Sequence, residues 1–277
     1  MTSTDAATLA SEVLDKAVPA RPISSGGDHR SWWIGKHHVL RWTPDPSTSQ
    51  RLQREIALRR WLPQHLHAPV PTAVADGTWH GHRWVLDERL PGHDLDEGPF
   101  TARTHTDLVQ LLSDLAHCAV TDVTAMGVPT RSLPDLPQLL EAGLAAHRAL
   151  GIERPLTPPA TTDVSGHGGK HAPVLVHADV KSEHLLVDAT GQLSGVLDWS
   201  DAAVGEVSLD VEGLVITVGA QKATQIAHQA DIPATALKRG VLLARCHTAM
   251  RLDALLNRAE PSGPELLLRR QHDLAWN

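Results

Sequence analysis

Two short apolar runs late in the chain each lead into an aspartate, and that pairing constrains the fold more than any other feature. Val174-Leu175-Val176 delivers His177-Ala178-Asp179, and Leu185-Leu186-Val187 begins the next apolar run soon afterwards. After a turn at Gly191, Gly195-Val196-Leu197 ends in Asp198-Trp199. Runs this short and this apolar read as buried strands, so the polar groups between them are pinned in a short loop. Two carboxylates exposed at the ends of neighbouring buried strands suit metal-assisted phosphoryl transfer. One orients a hydroxyl and accepts its proton, while the other binds Mg²⁺ on the β- and γ-phosphates. Taken singly, each aspartate would be an ordinary loop cap.

The rest of the chain divides near Pro91-Gly92. Before it, helical spacing of Leu9, Val13 and Leu14 predicts a helix over 5–17 closed by Pro19 and Pro22. The run ISSGGDHRSWWIGKHHVLRW predicts a three-stranded antiparallel meander. RLQREIALRRWLPQHL follows as an amphipathic helix, with Leu52, Ile56, Trp61 and Leu62 near one side and a basic opposite face. Val70 to Ala75, then Thr78-Trp79 and Arg83-Trp84-Val85-Leu86, give two further strands around the His80-Gly81-His82 turn. From Thr101 the spacing turns helical, at Leu108, Leu111, Leu112, Leu115 and Cys118 and again in LPQLLEAGLAAHRAL. TPPATTDVSGHGGKH reads as a mobile surface loop, and helices resume at Leu209 and over 235–257. The expected units are residues 1–90 and 91–277.

Composition narrows the function classes. With 25 basic and 32 acidic side chains the 277-residue chain carries a formal charge of −7, which repels a phosphate backbone and suits a cationic substrate. Nucleic acid is therefore not an expected partner. Cys118 and Cys246 are far apart and allow neither a disulfide framework nor a four-cysteine zinc site, so a reducing cytoplasm is expected. No stretch reaches the ~18 apolar residues of a membrane span. Of the 18 histidines, the pairs His65/His67, His80/His82 and His167/His171 lie among turn residues without matching ligands and read as surface side chains. No long exposed apolar face stands out, so a monomer is expected.

His177-x-Asp179-x₄-His184 followed by Val196-Leu197-Asp198-Trp199 resembles the catalytic loop and metal motif of the aminoglycoside phosphotransferase family, relatives of the protein kinases. The usual text there is similar to His-Gly-Asp-Leu-x₃-Asn, then Ile-Asp-Trp. The resemblance implies a two-lobed, protein-kinase-like α+β fold. Its first lobe would be a five-stranded antiparallel sheet with one helix that binds nucleotide and ends in a hinge. The second would be mainly helical, with a small β unit carrying the catalytic loop and the acceptor pocket beside it. It also implies Asp179 as catalytic base, with His184 and Asp198 as metal ligands. Ala178 stands where Gly is usual, a neutral change if its backbone angle is ordinary. His184 stands where Asn is usual, and imidazole is a softer ligand for Mg²⁺. Macrolide phosphotransferases of the same family look alike at that position. They are also similar in the text that follows, Asp198-Trp199-Ser200-Asp201-Ala202 and Val207-Ser208-Leu209-Asp210.

By the same resemblance Ser25, Gly26, Gly27 and Asp28 would cover the nucleotide phosphates, where glycines let backbone N–H groups approach anionic oxygens. Arg41 would grip them in place of the usual Lys, oriented by Glu55. The hinge, Trp84 through Gly92, would meet the purine of ATP or GTP near Glu88 and Leu90. Asp201, Glu206 and Asp210, with Glu212, Asp114 and Glu141, would attract a cationic acceptor. The expected activity is an antibiotic O-phosphotransferase conferring resistance, acting on an aminoglycoside, a viomycin- or capreomycin-type peptide, or a macrolide. Alternatives are a metabolic kinase of the same fold for choline, homoserine or a sugar, and a non-catalytic pseudokinase. A protein kinase would need a long activation segment after Asp198, where helix-forming sequence follows almost at once. His177 reads as a structural residue that organises the loop, and neither cysteine lies in a catalytic motif.

Overall fold

Five strands, β1 (Ala20–Ile23), β2 (Arg30–Ile34), β3 (His38–Trp42), β4 (Ala73–Trp79) and β5 (His82–Glu88), form an antiparallel sheet in the order β1-β2-β3-β5-β4. Alternation along each strand sends Trp32, Ile34, Leu40, Trp42, Trp84 and Leu86 to one face, against Ala6 and Ala10 of helix α1 (Ser3–Leu14). Val85 turns to the other face, against Leu52 and Ile56 of helix α2 (Pro46–Trp61). Arg41 pairs in register with Val85, and Val39 with Asp87, so Arg41 and Asp87 share the face that α2 covers. Each helix start is written locally. Thr2 and Asp5 form a capping box for α1, while Asp45 caps α2 ahead of Pro46. The first helix ends at Leu14 rather than 17, because Asp15 turns left-handed with φ +48°. Trp79 belongs to the strand that begins at Ala73, later than the expected start at 70.

The computed structural model describes residues 1–23, 29–154, 156, 172–257 and 265–277. The expected glycine turn, with Ser25, Gly26, Gly27 and Asp28, lies outside the described residues, as do the 157–171 loop, His167 and His171.

Helices dominate after the hinge: α3 (Ala102–His117), α4 (Val120–Ala125), α5 (Leu136–Ala149), α6 (Ser208–Val218), α7 (Ala220–Gln229), α8 (Ala234–Asn257) and α9 (Glu265–Leu274). The expected single β unit is two separate three-stranded sheets. β8 (Val174–Val176) pairs with β11 (Ala203–Gly205), which also takes β7 (Thr130–Arg131). β9 (Leu185–Val187) lies between β10 (Leu193–Val196) and β6 (His93–Asp94). The runs leading to Asp179 and Asp198 are therefore not neighbouring strands, and loop contacts bring the two acids together. Helix α6 is buried along almost its whole length, as its apolar sequence requires, and it packs directly under the loop that follows β8. At Gly213 that approach is so close that a Cβ would sit 2.6 Å from the Val180 carbonyl oxygen. Among the described residues no helix is long and apolar enough to cross a membrane.

Candidate active site

The loop after β8 is organised by hydrogen bonds to and from one buried imidazole. His177 Nε2 donates to the Leu197 carbonyl at 2.8 Å, and its Nδ1 accepts the Asp179 N–H at 3.3 Å. Burial, with the nearby His184, pushes His177 down to about 4, so the ring is neutral near pH 7 and can fill both roles. One side chain thus ties the Asp179 loop to the residue before Asp198. A second link runs from the Leu197 N–H to the His184 carbonyl at 2.8 Å. The ring of Trp199, 4.6 Å from that of His177, seals the underside.

Ala178 has φ +62°, a left-handed angle that favours glycine and strains a side-chain-bearing residue. The change from Gly is therefore not neutral, and what holds the angle is Asp210. Its carboxylate is fully buried and accepts the N–H groups of Ala178 at 2.7 Å and His177 at 3.1 Å. Burial pushes Asp210 up to about 7 against the pull of those donors. Asp210 was expected to face an acceptor; it is instead walled off beneath the catalytic loop.

His184 hangs between the two acids. Its Nδ1 donates to the Asp179 carbonyl at 2.8 Å, which leaves Nε2 as the nitrogen facing Asp198 Oδ2, 3.6 Å away. That distance is too long for a hydrogen bond. Asp198 itself takes φ +55°, which turns its carboxylate into the cleft. Burial works against its charge, but His184, a hydrogen bond from Ser200 and Arg41 hold it down to about 2. One imidazole nitrogen and one ionised carboxylate facing a shared space make a fitting pair of ligands for a divalent cation whose other positions go to phosphate and water. Among the described residues no larger group of His, Cys, Asp or Glu is gathered for a metal. Lys181 Nζ lies 2.9 Å from Asp179 Oδ2, a contact that sequence reasoning did not single out.

Across the cleft, Arg41 binds Glu55 with two parallel hydrogen bonds of 2.7 and 3.1 Å. The pair belongs to a larger network. Arg41 also reaches Asp87 at 3.2 Å, Arg59 donates to Asp87 at 2.9 Å, and Arg59 Nε stands 3.3 Å from Glu55. Glu55, Arg59 and Asp87 are thus closed out of water while Arg41 keeps an edge on the cleft, and each charge lies beside both opposite ones. Burial alone would raise Glu55 and weaken Arg41; the opposite charges outweigh it, holding Glu55 below its ordinary range and Arg41 firmly protonated. The basic face expected for α2 is accordingly not uniform, since Arg59 turns inward. Both missed partners had a signal. Trp84-Val85-Leu86-Asp87 is a further apolar run ending in an acid, and Glu55 and Arg59 are four apart on one helix.

These groups line one cleft of about 860 Å³, with Arg41, Asp87, Asp179, Lys181, His184 and Asp198 on its walls. Glu88, Arg89 and Leu90 of the hinge border it too. The Glu88 N–H is committed to the Thr72 carbonyl, so that group is not available to a purine. Asp201 reaches the cleft but is paired with Arg51 of α2 at 2.8 Å, a contact across the two lobes. Glu206 is engaged by Arg239 at 2.7 Å, Glu212 by His247 at 2.7 Å, and Asp114 by the backbone N–H of His67. Glu141 is exposed. The acids that do face the cleft near the catalytic loop are Asp94, Glu97 and Glu183. Burial and the crowding of Glu97, Glu183 and Asp96 push Asp94 upward.

Comparison with solved structures gives the same architecture. Aminoglycoside 2'-phosphotransferase-IIIa in its GDP complex is similar at a TM-score of 0.73 and 18% identity, over 100% of this chain and 99% of that one. APH(2")-IIa with streptomycin and ATP is similar at 0.64 and 16%, over 100% and 97%. The macrolide 2'-phosphotransferase MphH from Brachybacterium faecium is similar at 0.58 and 19%, over 91% of each chain. At these identities the likeness is one of fold. No curated protein sequence matches the chain. The model of the phosphotransferase enzyme family APH matches residues 19–252, and by that match, with the kinase-like fold around the cleft, this chain belongs to the APH phosphotransferase family.

Proposed function

We propose that this protein transfers the γ-phosphate of ATP or GTP to a hydroxyl of a cationic antibiotic, by direct in-line displacement and as a cytoplasmic monomer. The observation that carries the reading is the meeting of Asp179, the His184–Asp198 pair and Arg41 on the walls of one cleft. Asp179 orients the acceptor hydroxyl and takes its proton as the new O–P bond forms. The bond from the γ-phosphorus to the bridging oxygen breaks, and the nucleoside diphosphate leaves with its charge. Arg41, immobilised by Glu55 and Asp87, grips the donor phosphates, and Lys181 offers a positive charge beside the transferred group. His184 and Asp198 would hold Mg²⁺, which supplies charge neutralisation on the β- and γ-phosphates. The backbone beside Leu90 is the favoured contact for the purine edge, given the committed Glu88 N–H.

The acceptor class rests on charge and on the relatives. Asp94, Glu97 and Glu183 give the cleft near Asp179 an acidic wall suited to an amino sugar or a basic peptide. Asp201 contributes to that wall only where its pair with Arg51 opens. Similar structures include complexes with kanamycin, with streptomycin and with gentamicin. The test is nucleotide consumption with Mg²⁺ and ATP or GTP against aminoglycosides, macrolides, tuberactinomycin peptides and metabolic alcohols, with Asp179→Ala as control. Turnover dependent on an antibiotic and lost in the control is the expected result. Turnover with a metabolic alcohol alone would move the protein to a metabolic kinase, and nucleotide binding without any turnover would make it a pseudokinase.

A further inference from the structure

We infer that the cation position between His184 and Asp198 is a mixed nitrogen–oxygen site that binds Mn²⁺ by direct coordination of His184 Nε2 and favours it over Mg²⁺. The inference rests on the phosphotransferase reading above and specifies its metal. Its ground is the ring orientation that the loop imposes. The Nδ1–H is spent on the Asp179 carbonyl at 2.8 Å, so the imidazole cannot present that nitrogen to the cleft. Nε2 is the nitrogen left facing the cleft, 3.6 Å from Asp198 Oδ2, which is beyond a hydrogen bond and close enough for one cation to touch both. The ring cannot easily swing away, because Nδ1 also lies 3.4 Å from Asp179 Oδ2.

A fixed ring whose second nitrogen is hydrogen-bonded to a carbonyl is the usual arrangement of a histidine that binds metal, because that bond sets the tautomer and strengthens the donor. The donor type then decides the ion. Mg²⁺ is hard, keeps its waters and gains little from a neutral nitrogen, whereas affinity at nitrogen-containing sites rises along the divalent transition metals beginning with Mn²⁺. An amide oxygen at the same position would hold Mg²⁺ and Mn²⁺ more evenly. Asp198 offers the same carboxylate in either case, so the exchange of histidine for an amide changes only the donor beside it.

The test is electron–nuclear double resonance on Mn²⁺ bound with a non-hydrolysable ATP or GTP analogue, in protein carrying ¹⁵N-labelled histidine, beside calorimetric titration with Mn²⁺ and Mg²⁺. The expected result is a ¹⁵N coupling of a directly bound nitrogen that is absent in His184→Asn. The ratio of Mn²⁺ to Mg²⁺ affinity should fall at least about tenfold in that variant, the lower end of what loss of a ligand-supporting contact costs. A coupling that persists in His184→Asn, or wild-type Mn²⁺ without any ¹⁵N coupling, overturns the inference while the nucleotide still binds and the phosphotransferase reading stands. Absence of nucleotide binding with either metal overturns both.

Discussion

At the sheet side of the cleft, Arg41, Glu55, Arg59 and Asp87 neutralise one another in a largely buried network that leaves Arg41 at the cleft wall, whereas at the loop side Asp179 and Asp198 stand without such a network and are aimed by backbone hydrogen bonds. The two solutions fit different tasks. In the proposed role, a cation that waits for phosphates with its geometry fixed gains from opposite charges on two elements, since neither strand nor helix alone could hold a long flexible side chain. In the proposed reaction the base and the metal ligand must remain open to substrate, and here their positions come from neutral His177 and buried Asp210 beneath the loop. The buried network also gives a reason why Arg serves here in place of Lys. Its fork binds Glu55 with two nitrogens and still reaches Asp87, which a single ammonium would not match in geometry.

Removing the base tests the loop side most severely. Asp179→Asn should lower kcat by about 10² to 10⁴-fold with the melting temperature unchanged, because the contacts that hold the loop are made by its backbone and by its neighbours. An equal loss of stability would mean that the acid is structural.

On the sheet side the largest effect should be on stability. Asp87→Asn or Glu55→Gln leaves two buried cations facing one anion, and urea unfolding should register a loss of about 3–5 kcal/mol. The double change Arg59→Leu with Asp87→Leu removes one charge of each sign and keeps the Arg41–Glu55 pair. It should be close to neutral in stability while raising KM for the nucleotide, since Arg41 has lost one of its anchors. A double variant as unstable as the single ones would show that the network is not a balance of charges.

The pH dependence separates the imidazole and carboxylate contributions. His177 and His272 are both pushed by burial down to about 4, below the ordinary 6.5 of the unfolded chain. The stability they contribute is present above pH 6.5 and lost as pH falls toward 4, because the unfolded chain takes up protons that the folded one refuses. Asp210 has the opposite sign: with its carboxyl raised from 3.8 to about 7, its contribution is full at low pH and lost as pH rises through about 7. His272→Phe should therefore flatten the acid side of a plot of melting temperature against pH. Asp210→Asn should steepen it.

The smallest effect is expected at Ala178. Glycine there removes left-handed strain of ~1–2 kcal/mol and adds back ~0.5–1 kcal/mol of unfolded-chain entropy. Ala178→Gly should thus stabilise by roughly 0.5 kcal/mol in chemical denaturation. A clear destabilisation would mean that the methyl group is making a needed contact.

Legibility in the sequence followed the range of the interaction. Asp179 and Asp198 stood out because apolar runs lead into them, and Glu55 because it is the only acid on a helix following a basic strand. Lys181 was passed over because a lysine two residues from an acid carries no signal until the loop folds it back to 2.9 Å. The acceptor acids were the least legible group. Asp201, Glu206 and Asp210 look alike in a line of text, yet one is paired across the lobes, one is engaged by α8, and one is buried under the catalytic loop. Each outcome depends on a partner at least 32 positions away.

What is local could be read from the chain alone: the period-two strands around Arg41, the capped helices, and the short apolar runs that carry the two acids. Helix and strand periodicities, caps and turns are decided within a few residues of chain, so they can be read in one dimension. Packing settles that those runs enter two separate sheets, that Ala178 is left-handed, and that Asp87 joins Glu55 in holding Arg41 while Arg59 braces both acids. The physical reason is desolvation: the fate of a charge depends on which distant groups remove water from around it, and packing alone chooses them.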